Sequence, residues 1–147
     1  MNHRTGMIGL SALLMSGLGT AHATECLPVA KAAWVRMPPV AMPMMAGFAR
    51  IENPCKTPVS IVGAESLAFE DVSLHETREA NGVSRMREVA ALPIAPGKAA
   101  ELKPGGLHLM LHGPYAPIAA GEKVVITLRL ADGRWLPVQF EVRKSLP

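Results

Sequence analysis

The segment from His75 to Met110 decides the fold, because it holds two imidazoles and two thioethers in short runs separated by turns. The runs are L-H-E-T at 74–77, R-M-R at 85–87 and L-H-L-M-L-H at 107–112. Asn81-Gly82 separates the first two runs, and Lys103-Pro104-Gly105-Gly106 precedes the third. Clusters of Gly, Pro and Asn are turn signals. The segment therefore predicts three β-strands joined by turns.

The third run has the alternation of a half-buried strand. Residues two apart in a strand point to the same face and lie about 6.6 Å apart, so His108 and Met110 share one face. Leu107, Leu109 and Leu111 form the other face, which we expect to pack into a core. The two possible metal ligands therefore lie on the less apolar side of this strand.

Asn81-Gly82 predicts a β-hairpin between the first two runs, because Asn-Gly is the strongest short hairpin signal. A two-residue loop would pair Ala80 with Val83, Thr77 with Met86, and Leu74 with Val89. In that register His75 and Met86 are diagonal neighbours on one face, roughly 7 Å apart. A four-residue loop would place them directly opposite each other, whereas a three-residue loop without a bulge would put them on different faces.

The chemistry of these four side chains points to one kind of metal ion. Zinc sites draw on Cys, His and carboxylates, and hard cations prefer oxygen, whereas imidazoles combined with neutral thioethers suit the soft ion Cu(I). A blue-copper electron carrier would need a Cys thiolate, and the segment has none. The sequence therefore predicts a Cu(I) site of His75, Met86, His108 and Met110.

The spacing of the four residues, H-x10-M-x21-H-x-M, resembles that of the PCu(A)C family of periplasmic copper chaperones. The likeness covers nearly the whole chain after residue 23. It extends to A-W-V-R at 33–36, I-E-N-P at 51–54, V-S-L-H-E at 72–76, M-R at 86–87, E-L-K-P-G-G at 101–106 and H-L-M-L at 108–111. Two positions depart from the family, because members often carry further methionines where this chain has Thr77 and Ser84.

This resemblance implies a cupredoxin-like β-sandwich that binds Cu(I) at the four residues named above and passes the ion on. The implied partner is a copper-accepting protein, such as a respiratory oxidase subunit or another copper chaperone. The departures at Thr77 and Ser84 leave the four core ligands in place and remove only auxiliary thioethers.

The first 23 residues predict a secretory signal peptide. Arg4 precedes an apolar run from Met7 to Leu18, and Ala21-His22-Ala23 is a small-x-small cleavage site. The run is too short for a permanent membrane span, and Glu25 before Cys26 does not suit lipoprotein processing. We therefore expect cleavage after Ala23 and a periplasmic, monomeric domain of residues 24–147 without a stable membrane anchor.

Cys26 and Cys55 are the only cysteines in the sequence. An even pair in an exported protein favours a disulfide, because the compartment is oxidising. The alternative is that the two thiols bind copper or take part in redox chemistry.

The part of the chain after residue 23 has no long helical period and many runs with a period of two, which predicts an all-β, antiparallel sandwich of the Greek-key type. The predicted strands are 30–36, 46–52, 58–65, 71–78, 83–89, 99–102, 107–112, 123–130 and 134–143. Pro137 in the last run suggests an edge strand, because proline cannot donate a ladder hydrogen bond.

Other function classes find little support in the sequence. The formal net charge of +3 comes without basic runs or interleaved aromatic residues, so we expect no nucleic-acid binding. Ser73 and His75 share a strand face but lack an acidic partner or a nucleophile elbow, and we expect no enzyme activity. Two hypotheses stay open: a copper carrier, and a metal-free exported adhesion or adaptor domain built on the same sandwich.

Two further features have open interpretations. Met37, Met42, Met44 and Met45 fall in a Pro-broken run that could capture Cu(I) or simply serve as adaptable apolar filler. His112 continues the face of His108 and Met110, where it is either a spare ligand or a solvated histidine at the end of a strand.

Overall fold

Short alternating runs separated by turns give this chain an all-β structure. The computed structural model describes residues 25–145, which form ten strands and no helix. The strands are β1 (Val29–Met37), β2 (Met44–Glu52), β3 (Val59–Glu65), β4 (Phe69–Ala80), β5 (Val83–Glu88), β6 (Leu92–Ile94), β7 (Ala99–Leu102), β8 (Leu107–Pro114), β9 (Lys123–Leu130) and β10 (Trp135–Lys144). In the described part, therefore, no helix is long and apolar enough to cross a membrane.

All nine predicted strands are present, and only β6 was missed. With three residues, one of them a proline, β6 is too short to show any alternation. The predicted signal peptide at 1–23 and its cleavage site lie outside the described residues.

The strands form one sheet in the order β5-β4-β8-β7-β2-β1-β10-β9-β3-β6, with β8 also paired to β2. β3 and β4 stand near opposite ends of this order and yet contact each other, so the sheet folds over on itself as a sandwich does. The enclosed core takes buried side chains from both halves, among them Leu109, Leu111, Ile126, Leu128 and Phe140. The prediction of an all-β sandwich is therefore confirmed.

The prediction that β10 is an edge strand is wrong, because β10 lies between β1 and β9. It pairs with β9 from Trp135 onward, but its parallel pairing with β1 begins only at Glu141, opposite Trp34. A bulge between Lys31 and Trp34 interrupts the first half of β1. Pro137 consequently has a ladder partner on one side only, which is the local condition that proline requires.

The hairpin of β4 and β5 has the predicted register. Ala80 pairs with Val83, and Thr77 pairs with Met86. Asn81 and Gly82 both have positive φ, 54° and 73°, as a two-residue type I′ turn requires. The turn chemistry therefore sets which residues of β5 share a face with His75.

The predicted disulfide is confirmed. Cys26 and Cys55 are bonded, with their Cα atoms 5.7 Å apart, and they tie the segment before β1 to the loop after β2. Neither sulfur is a thiol that could bind copper, so the alternative role for the cysteines does not hold in this structure.

Asn53 organises the same loop, a role that its position in an Asn-Pro turn did not reveal. Its side chain is 1% exposed and donates to the backbone carbonyls of Thr57 and Ile94 at 2.9 and 3.0 Å, while the Cys55 amide donates to its Oδ1 at 3.0 Å. Burial of a polar side chain is tolerated when its hydrogen bonds are made within the protein.

We expect Asn53→Ala to lower the free energy of unfolding by at least about 2 kcal/mol, because it leaves buried backbone groups without partners. Gln139→Ala, at an exposed position of β10, is the control and should change stability by less than about 0.5 kcal/mol. Urea unfolding of the oxidised protein measures both. Equal, small effects would show that the loop does not depend on Asn53.

We expect replacement of both Cys26 and Cys55 by Ser to lower the free energy of unfolding by roughly 3–4 kcal/mol, because it removes a cross-link that closes a loop of about 30 residues. Thiol titration of the unfolded, unreduced wild type provides the direct check. No thiol should react; two reactive thiols per chain would contradict the disulfide.

Candidate metal centre

The predicted ligands lie on one face of three neighbouring strands, β5, β4 and β8. Across β4 and β8, His75 is directly opposite His108 and Ser73 is directly opposite Met110. Across the hairpin, Met86 is directly opposite Thr77, the next residue along the face from His75. Because directly opposite residues in antiparallel strands point to the same face, the four side chains occupy adjacent rows of one surface.

The other face of the same strands holds this register in place. Leu109 and Leu111 are fully buried, and Val72 and Leu74 of β4 are buried beside them. A shift of one residue would expose this apolar set and bury the ligands. Core packing and ligand placement are therefore set by a single register.

His108 is buried, with 5% of its surface exposed. The less apolar side of β8 is thus also covered at this residue. The ring of Phe48 on β2 lies 6.4 Å from that of His108, and Trp34 on β1 lies 4.8 Å from Phe48. These two aromatic residues form a second apolar layer beside the ligand face.

This aromatic layer was missed because it depends on strand order. β2 pairs with β8 on the side away from β4, and β1 pairs with β2. No local sequence pattern reveals this strand order. Trp34 lies directly opposite Phe48 across β1 and β2. The positions of the two residues in the sequence did not predict this contact.

The hydrogen bonds of His108 select its tautomer. Nδ1 lies 3.0 Å from the carbonyl oxygen of Gly106, and a carbonyl can only accept, so Nδ1 carries the proton. Nε2 is left with a free lone pair. Such a backbone partner on the far nitrogen is typical of metal-binding histidines.

His75 has the complementary arrangement. Its Nε2 lies 3.0 Å from Ser73 Oγ, while its Nδ1 is buried and has no hydrogen-bond partner in the described part of the chain. Burial lowers the pKa of His75 below its ordinary value of 6.5, and the neighbouring His108 and His112 lower it further against the opposing charges of Glu88 and Asp71. A lowered pKa favours the neutral ring, in which one nitrogen keeps its lone pair.

A cleft of about 320 Å³ opens beside these residues. Met86, His108 and Met110 line it, and so do Met42 and Met44 from the Met-rich run. His75 lies next to the cleft, with its ring centroid 6.1 Å from that of His108. That separation leaves room for one ion between the two rings at the about 2 Å distance usual for imidazole nitrogen and a metal.

The donors available here are two imidazole nitrogens and two thioether sulfurs. Within residues 25–145, no group of three or more His, Cys, Asp or Glu side chains is arranged to hold a metal ion. The two methionines are thus what could turn this histidine pair into a four-donor set, and thioethers bind soft monovalent ions best.

The sequence left open whether the Met-rich run is apolar filler or lies beside the metal site, and each interpretation applies to part of the run. Met37 and Met45 pack against the hydrophobic core. Met42, Met44 and Met45 line the cleft. Apolar filler therefore describes Met37, whereas Met42 and Met44 lie beside the candidate ligands and Met45 contacts both the core and the cleft.

The sequence matches one protein-family model and a related protein. A family model described as "Putative lipoprotein LpqE-like" matches residues 29–142. The relative "Putative lipoprotein Lxx21020" from Leifsonia xyli subsp. xyli is 38% identical over 112 residues, which span 76% of this chain and 66% of the relative. In this chain the sulfur of Cys26, the cysteine near the predicted leader, is engaged with Cys55.

Solved structures share the fold. The copper-bound PCuAC domain from PmoF2 superposes with a TM-score of 0.66 at 17% identity, covering 84% of this chain and 99% of that domain. The apo and CuI forms of DR1885 from Deinococcus radiodurans give TM-scores of 0.64 and 0.63 at 28% and 31% identity. These matches cover 99% and 83% of this chain, and 98% and 83% of the respective DR1885 chains.

The resemblance to copper chaperones is thus supported by the fold, while the matching family model is the LpqE-like one. By that match over residues 29–142, the chain belongs to the LpqE-like family, with the fold of PCuAC copper-binding domains.

Proposed function

We propose that this protein is an exported copper chaperone that binds one Cu(I) through His75, Met86, His108 and Met110. In this proposal it works in the periplasm and hands the ion to a copper-accepting protein, such as the copper centre of a respiratory oxidase or another chaperone. The observation that carries the proposal is the β4–β8 register, which sets His75 against His108 with Met110 in the next row. The CuI form of DR1885, 31% identical to this chain, supports it.

The hydrogen bonds of both histidines leave one ring nitrogen free to bind a cation. His108 Nδ1–H donates to the Gly106 carbonyl, and Ser73 Oγ can accept a hydrogen bond from His75 Nε2–H. Thioethers have no proton to lose. All four donors can therefore bind Cu(I) without the proton release that cysteine thiols would require.

The four donors differ in exposure, which suits transfer of the ion. Met86 is 51% exposed and lies on β5, which among residues 25–145 is an edge strand paired with β4 alone, whereas His108 is buried. A ligand of an acceptor can reach the Met86 side first. We infer that exchange begins there and ends at His108, so that copper is never released as a free ion.

We expect Met86→Leu and Met110→Leu each to weaken Cu(I) binding by at least about tenfold, since each removes one sulfur donor while nearly conserving side-chain volume. Met37→Leu is the matched control, because Met37 packs against the core, and it should leave the affinity unchanged. Anaerobic competition against a chromophoric Cu(I) chelator gives the affinities. If the wild type cannot compete, or if both site variants compete as the wild type does, the proposal fails.

We expect Ser73→Ala to lower the Cu(I) affinity by about 10–100-fold, because it removes the hydrogen bond that orients the His75 ring. Ser84→Ala, on the exposed hairpin strand, is the control and should have no effect. The ¹⁵N shifts of His75 in the apo protein offer a second readout, because loss of the Ser73 partner should change its tautomer populations. Unchanged affinity and unchanged shifts would rule out this positioning role.

A further inference from the structure

The ligand face continues beyond Met110 into a row of donors that the proposed Cu(I) site does not use. Met44 on β2 lies directly opposite His112 on β8. His112 is half-buried, and in the described part of the chain neither of its ring nitrogens has a hydrogen-bond partner. A thioether and an available imidazole thus face the same side at the same level of the sheet.

The backbone fixes the methionine segment next to this histidine. The amide of Gly113 donates to the carbonyl of Pro43 at 2.8 Å, so the residues that flank Pro43 are held against the end of β8. Met44 enters β2 beside His112, and Met42 is 45% exposed at the rim of the cleft. Backbone hydrogen bonds of the sheet therefore hold Met44 beside His112.

Met110 connects this row to the proposed site. It lies two residues from His108 and two from His112 on the same face, about 6.6 Å from each along the strand. Directly opposite residues such as Met44 and His112 have Cβ atoms about 4.5–5.5 Å apart, close enough for both side chains to reach one ion. Met110 therefore lies between His108 and His112 along this face of β8.

We infer that Met44 and His112, aided by the thioether of Met42, form a second Cu(I) position, which shares Met110 with the first. This inference rests on the proposed function and extends it. The donors are neutral and soft, so they suit the same ion, but they are fewer and more exposed than those of the four-ligand site. The second position binds Cu(I) more weakly and exchanges it faster.

Such a position gives copper a place to bind on its way into or out of the four-ligand site. Movement into the four-ligand site breaks the bonds to His112 and to the thioethers of Met44 and Met42. It forms bonds to His75, Met86 and His108, and the bond to the Met110 sulfur is kept. The ion stays Cu(I) throughout, and no electron or proton is transferred. Asp71, directly opposite His112 on β4, places a negative charge beside the incoming cation.

The test is an anaerobic NMR titration of the intact protein with Cu(I) supplied as its acetonitrile complex, combined with chelator competition. In the wild type, the first equivalent should shift the signals of His75 and Met86. The second equivalent should then shift the His112 ring and Met44 methyl signals, with an affinity at least tenfold weaker. A variant with both Met44→Leu and His112→Gln should keep the first equivalent and lose the second.

Met37→Leu is the matched control, because Met37 packs against the core and is not among the residues that line the cleft; it should retain both equivalents. Saturation of the wild type at one equivalent, with His112 and Met44 signals unmoved, would overturn the second position and leave the proposed function intact. A first equivalent that does not depend on His75 and Met86 would instead overturn the proposed function.

Discussion

The pairing register between β4 and β8 is the constraint on which the rest of this structure depends. It sets His75 against His108 on one face and buries Leu74 against Leu109 on the other. Side chains alternate between faces with a period of two, so a shift of one residue would move every leucine out and every ligand in. The hydrophobic free energy of the core therefore also holds the candidate metal centre in place, and no separate scaffold is needed.

The two ends of β2 lie next to different parts of the structure. The end that begins at Met44 joins the ligand face, and the strand stops at Glu52, next to the Asn53 loop and the disulfide. The stabilising cross-link thus sits at the opposite end of β2 from Met44. Exchangeable thioethers can then be exposed at one end while the disulfide and the buried amide stabilise the other.

Much of this arrangement could be predicted because it depends on local patterns. The Asn81-Gly82 turn gave the observed register of β4 and β5, and the alternation of β8 placed His108 and Met110 on the same face. The pairing of β8 with β4 was not predicted, because it joins residues far apart in the sequence. The disulfide followed from the even cysteine pair and the expected compartment. Such features are encoded within a strand and its turn.

The features that sequence reasoning missed depend on which strands become neighbours. His108 is buried beside Phe48 of β2, which in turn packs against Trp34 of β1. β10 is an interior strand because β1 pairs with it in parallel from Glu141 onward. Pro137 lies before that pairing begins, so within residues 25–145 its ladder partner is on β9 alone. Strand order arises from the packing of the whole sheet, so no local pattern could reveal these contacts.

X-ray absorption at the copper edge of the protein loaded with one equivalent of Cu(I) identifies the atoms bound to the ion. We expect monovalent copper with both thioether sulfur and imidazole nitrogen scatterers, and loss of sulfur scattering in a variant carrying Met86→Leu and Met110→Leu. A first shell of nitrogen and oxygen alone, unchanged in that variant, would contradict the proposed Cu(I) site.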